Sequence, residues 1–508
     1  MLTPRYIVGF TGHRSGIHEQ RVKTGLADAL RRIKIRAAEW GGQAELFASI
    51  AEGSDVLCVE TARELDLPVH LILPLPEELF LHDFTSPASW ARSRSQIELC
   101  RQNPQRDSVR LSPGETTRPE CYFNAAMVML QTCDVLIAVH DHQPSRGIGG
   151  TGDVVAHARL MSIPVVTLDP ATGAVEWDPG VEGKIAPDPR TDKLAGLART
   201  SRPPGPQNPG DPVALQACLD KIAVSEARRF RPSTVRILML QGGATLLAAM
   251  ATYSFQPAIK PVLAAFEMLL VCVALWMTLR LKRRQTRERW VDARFACELL
   301  RGLRASLPLL DPLDPLIARH HSEWRRFALS AGLFVQNHAT TFDVFVLRER
   351  YLEHRLGKSS RESQVLHFER YSESARRSCR LSGWFGDVTS VLAPFFVLIS
   401  LLNKVYRLKH AGPGGPLPDP LPLWLAASLL PIALPLVAGV AGGLRQALDA
   451  DRRVNRYPEM VTRLILMRQW LSGLQTPSSI RTAVSRCEGL LLDELEEWRV
   501  VARNTGIH

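Results

Sequence analysis

Two near-continuous apolar runs in close succession, Ile237–Phe255 and Val262–Leu279, constrain this chain more than any other feature. A helix needs about 20 apolar residues to cross the hydrocarbon core of a bilayer, and each run is near that length. Gln256-Pro257 and Lys260-Pro261 leave room only for a tight turn between them, so the pair reads as an antiparallel hairpin. Arg228, Arg229 and Arg231 precede it, and Arg280, Lys282, Arg283 and Arg284 follow it. Lys/Arg-rich flanks stay on the cytosolic side of a membrane, which predicts cytosolic ends for the hairpin. The averages conceal this, because 45% hydrophobic and 22% charged residues over 508 positions look soluble.

A second pair of apolar runs, Trp384–Leu402 and Trp424–Leu444, repeats the pattern, with Pro431 and Pro435 inside the latter. A Gly/Pro-rich connection, about 403–423, joins them. Arg376, Arg377 and Arg380 precede the pair, and Arg445, Arg452, Arg453 and Arg456 follow it. Lys404, Arg407 and Lys409 in the connection weaken the charge bias. The expectation is an all-α membrane region with four transmembrane helices in two hairpins, about 237–255, 262–279, 384–402 and 424–444. Buried helices of a large soluble domain are the plainer alternative. Glu267 lies inside the second run. An intramembrane carboxylate is a functional candidate, or its short distance from the helix start lets it reach the interface.

The net charge of +11 admits nucleic acid, an acidic ligand or an anionic membrane surface as partner. The arginines crowd beside apolar runs, so the membrane is expected and nucleic acid is not. Nine scattered cysteines form no CxxC pair and no Cys/His cluster with metal-ligand spacing, so reduced thiols and neither metal nor resident cofactor are expected. The N-terminus runs straight into a strand-like segment without a signal-peptide core, which leaves the first domain in the cytosol.

From Tyr6 to Leu168, short apolar runs alternate with helical periodicity. Strands are expected at Tyr6–Phe10, Leu46–Ile50, Val69–Leu73, Val135–Val139 and Val165–Leu168, and helices at Val22–Trp40, Val56–Leu65, Tyr122–Gln131 and Asp153–Met161. This alternation specifies an α/β N-terminal Rossmann-like parallel sheet domain. Asp55 is read as a cap of its helix, and 83–120 as polar and irregular. The expected division is a nucleotide-binding domain over 1–170, a Pro/Gly-rich linker and basic segment over 171–230, and the hairpin regions 231–380 and 381–508.

The sharpest candidate site is Gly147-Ile148-Gly149-Gly150-Thr151-Gly152-Asp153, between a strand and a helix. Glycines let backbone approach a ligand, and a helix N-terminus favours an anion, most often phosphate. Gly147, Gly149, Gly150 and Thr151 are therefore candidate nucleotide contacts. The loops at Thr11-Gly12-His13-Arg14 and Gly53-Ser54-Asp55 end the first two strands and belong on the same sheet edge. Thr11, Gly12, Gly53 and Ser54 are candidates for phosphate or ribose. Arg14 is open to a planar fork on phosphate or to a surface salt bridge. Asp141 is open to a ribose hydroxyl or to a capping role. His13 is read as a structural hydrogen-bonder.

GFTGHR, AEGSD, and CDVLIAVHD followed by GIGGTGDVVAHAR resemble, in that order, the SLOG superfamily of Rossmann-like proteins. That group includes the LOG nucleotide phosphoribohydrolases, the DNA-processing protein DprA and sensors of NAD-derived signals. The resemblance covers about residues 5–170 and implies a nucleotide or NAD-derivative ligand at Gly12, Gly53, Gly149, Gly150 and Thr151. The enzymatic LOG pattern is PGGxGTxxE, and Val154 stands where its catalytic Glu belongs. Binding is therefore favoured over catalysis, and no catalytic residue is assigned. The C-terminal part resembles, more weakly, the two-transmembrane SLATT modules of bacterial conflict systems. The matching residues are Arg280, Trp290-Val-Asp-Ala-Arg294, Tyr351-Leu-Glu-His-Arg355 and Glu496-Glu497-Trp498. This implies a membrane effector in antiviral defence, with pore formation as one way it acts.

The expected protein is a multi-pass protein of the bacterial cytoplasmic membrane with both termini cytosolic. Its partners would be a nucleotide-derived ligand, the lipid bilayer and further copies of itself. Two alternatives stay open. One is a membrane-tethered nucleotide N-glycosidase with Asp153 or Glu52 replacing the missing Glu. The other is a transporter or scaffold with a purely structural N-terminal domain.

Overall fold

The computed structural model describes residues 3–187, 212–253, 259–310, 324–336, 343–409 and 423–504, apart from the single positions 113, 116, 146, 361, 424, 448 and 449. Gln256-Pro257, residues 188–211 of the expected linker and residues 410–422 of the second connection lie outside the described residues. The chain divides into two compact units. One comprises Met1–Cys218 and Leu299–Phe342, the other Leu219–Glu298 and Asp343–His508.

The first unit is built on a seven-stranded sheet of order β4-β3-β2-β1-β5-β6-β7. Its strands are β1 (Arg5–Gly12), β2 (Gln43–Ala48), β3 (Val69–Leu73), β4 (Ser108–Leu111), β5 (Val135–Val139), β6 (Val165–Leu168) and β7 (Val175–Trp177). Adjacent strands run parallel from β4 to β6, and β7 pairs antiparallel with β6. Side chains alternate across a strand, and the core divides accordingly. Tyr6, Val8 and Phe10 join one apolar layer with Leu26, Leu30 and Ile33 of α1 (Glu19–Glu39) and with Leu57 and Cys58 of α2 (Ser54–Glu64). Ile7 joins the other layer, with Met129 and Leu130 of α5 (Arg118–Thr132) and Val154 and Ala158 of α6 (Thr151–Leu160).

Three expectations need correction here. The stretch 83–120 is ordered: α3 (Glu77–Phe80) is followed by α4 (Pro87–Gln102), closed by a Ser86–Ser89 capping box, and then by β4. Its polar sequence hides a helix with only Ser93, Gln96, Ile97 and Cys100 buried. The sheet also continues beyond 170, through β7 and the short α7 (Gly180–Lys184). Finally, the helix Arg325–Gln336 belongs to the sheet unit, although it follows the first apolar pair in sequence. Arg5 N donates to Ser330 Oγ at 2.9 Å, Arg325 Nη1 meets Asp134 Oδ1 at 2.8 Å, and Leu333 enters the second apolar layer.

The second unit is helical. Pro212–Tyr253 is one helix carrying both the basic segment and the first apolar run, with Pro232 inside it. Lys260–Arg283 follows, then Thr286–Ser306, which passes into the first unit at Leu299, and then Val344–His354, Gln364–Lys409, Leu430–Ala447, Ala450–Gly473 and Pro477–Asn504. Among the described residues, three helices are long and apolar enough to cross a membrane: Val213–Ala251, Lys260–Arg283 and Leu425–Gly443, with mean hydropathies of 1.4, 2.3 and 2.0. Of the expected span 384–402, the described residues show a shorter apolar stretch, Val391–Tyr406, within the helix Gln364–Lys409.

Leu425–Leu429 forms a π-helical turn ahead of Leu430–Ala447. That wider turn relieves the clash Pro431 would otherwise make with the carbonyl four residues back. The small residues bring helices together. A Cβ on Gly242 would meet Val440 at 3.0 Å, one on Gly443 would meet Leu238 at 3.7 Å, and one on Gly243 would meet Leu270 at 3.4 Å. Glu267, two turns into its helix, is partly buried.

Candidate functional site

The chain lays β2, β3 and β4 on one side of β1 before returning to place β5 on the other. The connections leaving β1 and β5 therefore part, and a crevice opens at their carboxyl ends, where parallel α/β sheets bind ligands. A cavity of about 270 Å³ lies there, lined by Phe10–Arg14, Ser49, Ala51, Asp55, Tyr122, His140, Asp141, Gln143–Ser145, Gly149–Gly152 and Val154, among others.

The Thr11–Arg14 loop is shaped from behind by α2. Ser54 N and Ser54 Oγ both donate to His13 O, at 3.1 and 2.8 Å. A Cβ on Gly12 would stand 2.2 Å from Ser54 Oγ, and one on Gly53 would stand 2.3 Å from Arg14 O. Gly53 also holds φ at +89°, a conformation that costs residues with a Cβ. Thr11, Gly12 and Arg14 thus face the cavity, while Gly53 and Ser54 buttress the loop and do not line it. Arg14 forms no surface ion pair among the described residues. Its guanidinium sits 4.7 Å over the Tyr122 ring, and Tyr122 Oη donates to Asp83 Oδ2 at 2.8 Å.

The glycine loop is held by its own helix. Gly149, at φ +76°, donates its N–H to Asp153 Oδ2 at 2.9 Å. A Cβ there would lie 2.9 Å from Pro119 O and Phe123 N. Gly150 is the N-cap of α6, and Gly149, Gly150 and Thr151 line the cavity. The positive end of α6 therefore faces it, and favours an anion. Gly147 stands outside the lining and exchanges hydrogen bonds with Ser145 Oγ.

Asp55 corrects its sequence reading. The α2 N-cap is Gly53, without a side-chain capping bond. Asp55 lines the cavity instead, 8% exposed, and its Oδ2 accepts from Ala51 N at 3.3 Å. Burial pushes its carboxyl up to about 7, with the Arg14 charge and the Ala51 N–H pulling the other way. The sequence signal was an acid just inside an otherwise apolar helix start, Ser54-Asp55-Val56-Leu57.

Asp141 Oδ1 accepts from Gln143 N at 3.2 Å and stands 3.3 Å from His13 Nε2 and 3.6 Å from His140 Nδ1. Its capping role is thereby local, within its own turn. The Gln143 N–H holds its carboxyl below the usual range, and burial lowers His140. His13 Nε2 and His140 Nδ1 are buried without a hydrogen-bond partner. The His13 backbone accepts from Ser54 and donates its N–H to Val139 O at 3.2 Å. The three side chains present ligand atoms within 4.8 Å of one another, the residue types of a divalent-cation site. No metal-ligand spacing announces this cluster, because His13 and His140 are 127 positions apart and meet through the β1–β5 pairing.

The two carboxylates offered as replacements for the missing Glu are engaged elsewhere. Glu52 Oε2 accepts from Thr85 N and Oγ1 at 3.0 and 2.9 Å, and Asp153 holds Gly149 N and lies 3.3 Å from His157 Nδ1. Neither lines the cavity, whereas Val154 does. Compared with known proteins, the chain matches no family model and no curated protein.

Proposed function

We propose that the first unit binds a nucleotide-derived ligand through its phosphate, and that this binding regulates a membrane-anchored effector. The observation that carries the reading is convergence. Arg14, the N-terminus of α6 and the glycine backbone of 149–150 meet in one cavity at the switch point between β1 and β5. An always-charged guanidinium and a helix N-terminus suit a phosphate, and the Tyr122 ring and the Asp141 carboxylate would serve the base and ribose. The apolar helices supply the anchor, in two hairpins with both termini cytosolic. Val391–Tyr406 completes the fourth crossing together with the residues ahead of it. Resemblance to SLOG and SLATT proteins adds the bacterial defence setting, self-association and pore formation. A ligand gates such an effector only by binding one of its conformations more tightly.

A second reading has its own observation. Asp55, with a carboxyl near 7 beside Arg14, has the protonation range of a general acid or base, which keeps a nucleotide N-glycosidase in play. One experiment separates the two. The full chain in detergent is screened by thermal shift against cyclic nucleotides, NAD and ADP-ribose isomers, and bound compound is recovered and identified. A shift lost in Gly150→Asp with the compound intact supports the sensor. Recovery of free base, abolished in Asp55→Asn, moves the assignment to the enzyme. No shift with any compound removes the nucleotide reading.

A further inference from the structure

The second unit holds a separate cavity of about 160 Å³ among its polar helix segments. Four arginines line it: Arg231, Arg294, Arg355 and Arg453. Two have partners. Arg294 pairs with Glu298 at 2.6 Å, and Arg355 grips Glu488 through Nε and Nη2, both at 2.9 Å. The remaining carboxylate of the lining, Glu494, is taken by Arg456 at 2.8 Å.

Arg231 and Arg453 have neither a hydrogen bond nor an ion pair among the described residues. They rest on aromatic faces, Arg231 5.2 Å from the Trp290 centroid and Arg453 5.6 Å from that of Tyr371. Arg453 Nε is buried without a partner, and so is Nη1 of Arg355, a residue only 4% exposed. Burial and the neighbouring Arg453 and Arg294 charges push the Arg231 guanidinium below its ordinary range.

A guanidinium does not shed its proton to escape such a place, and unpaired buried charge is costly. The cation–π contacts offset only part of that cost. An anion that brings several acceptors to one point resolves all three orphaned donors. We propose that this cavity is a phosphate site, in which Arg231, Arg453 and Nη1 of Arg355 converge on the phosphate of an anionic phospholipid headgroup or of a soluble phosphoester. At about 30 Å³ per water, the space holds roughly five waters, enough for a phosphate with the start of its ester. Arg231 stands six residues before the first apolar run, about 9 Å along the helix, so the same site is within reach of a lipid headgroup. The inference stands on second-unit residues alone and does not depend on the nucleotide reading.

The test uses the full chain in dodecyl maltoside, which carries no phosphate, at constant ionic strength. Thermal stability is followed against added inorganic phosphate in one arm and added phosphatidylglycerol in the other. At least one probe is expected to raise the Tm in a saturable way. Response to the lipid alone assigns a headgroup, and response to phosphate assigns a soluble phosphoester. R231Q/R453Q is expected to weaken the apparent affinity about tenfold or more, as loss of charge-assisted bonds does. R228Q, at an exposed arginine outside the cavity, keeps the wild-type response. Should the double variant fail to fold, R453Q alone gives a smaller loss in the same direction. No response to either probe, or an equal response in wild type and R231Q/R453Q, overturns the proposal.

Discussion

The sheet unit and the helical unit treat apolar side chains in opposite ways. In α1, Leu26, Leu30 and Ile33 are at most 1% exposed. In the helix Lys260–Arg283, Phe266, Met268, Leu269 and Trp276 are between 55% and 63% exposed. The first unit makes its own apolar interior from two helical layers on a parallel sheet. The second leaves large apolar side chains exposed along helices that are long and apolar enough to cross a membrane. Buried polar groups do not divide that way. The first unit pairs Glu45 with His70 at 3.1 Å yet leaves His13 Nε2 and His140 Nδ1 without a hydrogen-bond partner, and the second pairs Arg355 with Glu488 at 2.9 Å yet leaves Arg231 and Arg453 without an ion pair among the described residues.

The largest expected effect breaks or fixes that contrast directly. Val271 and Leu275 are 45% and 56% exposed near the middle of Lys260–Arg283. If lipid covers them, V271K/L275K costs roughly 5–7 kcal/mol of insertion. The chain should then leave the carbonate-resistant membrane pellet or be degraded. If water covers them, each change stays within about 0.5 kcal/mol, as expected for Leu160→Lys on α6, where the side chain is 80% exposed. Equal behaviour of V271K/L275K and L160K would dissolve the comparison.

A smaller effect sharpens the description of the sheet unit. Gly53 and Gly41 both hold positive φ, at +89° and +67°. A Cβ at Gly53 meets the Arg14 backbone, whereas at Gly41 it meets nothing within 4 Å. Gly41→Ala should cost about 1 kcal/mol, the ordinary left-handed penalty. Gly53→Ala should cost about 3 kcal/mol or more, because backbone strain and the clash with Arg14 add. Urea midpoints followed by amide exchange in β1 would measure both. Equal costs would mean that α2 does not shape the Thr11–Arg14 loop.

These positions also show how far sequence reaches. Strands β3, β5 and β6 were legible to the residue, because buried parallel strands are unbroken apolar runs bounded by turn residues. Gly149, Gly150 and Thr151 were legible as a loop at a strand end. The helix α4 was not, since only one narrow stripe of it is buried. Arg325–Gln336 was not, because its place on the sheet depends on Arg325–Asp134 and Arg5–Ser330, pairings 191 and 325 positions apart. Asp55 was misread because a cap and a buried first-turn acid look alike in sequence. They differ only in whether burial follows.

Asp55 carries the smallest effect and the most specific one. Its carboxyl stands near 7 in the fold, against about 3.9 unfolded. A raised acid contributes its stability in full below the unfolded value and loses it as pH rises through about 7. An anionic ligand in the cavity raises the carboxyl further, so binding above pH 7 requires proton uptake. Affinity for a phosphate-bearing ligand should then fall about fivefold between pH 7 and pH 8, or ~1 kcal/mol. For a ligand with a terminal phosphate monoester it should fall below pH 6 as well, because that phosphate gains a proton there. In Asp55→Asn the decline above pH 7 should vanish and the one below pH 6 should remain. If the decline above pH 7 survives in Asp55→Asn, Asp55 is not the group that takes up the proton and serves only to hold Ala51 N.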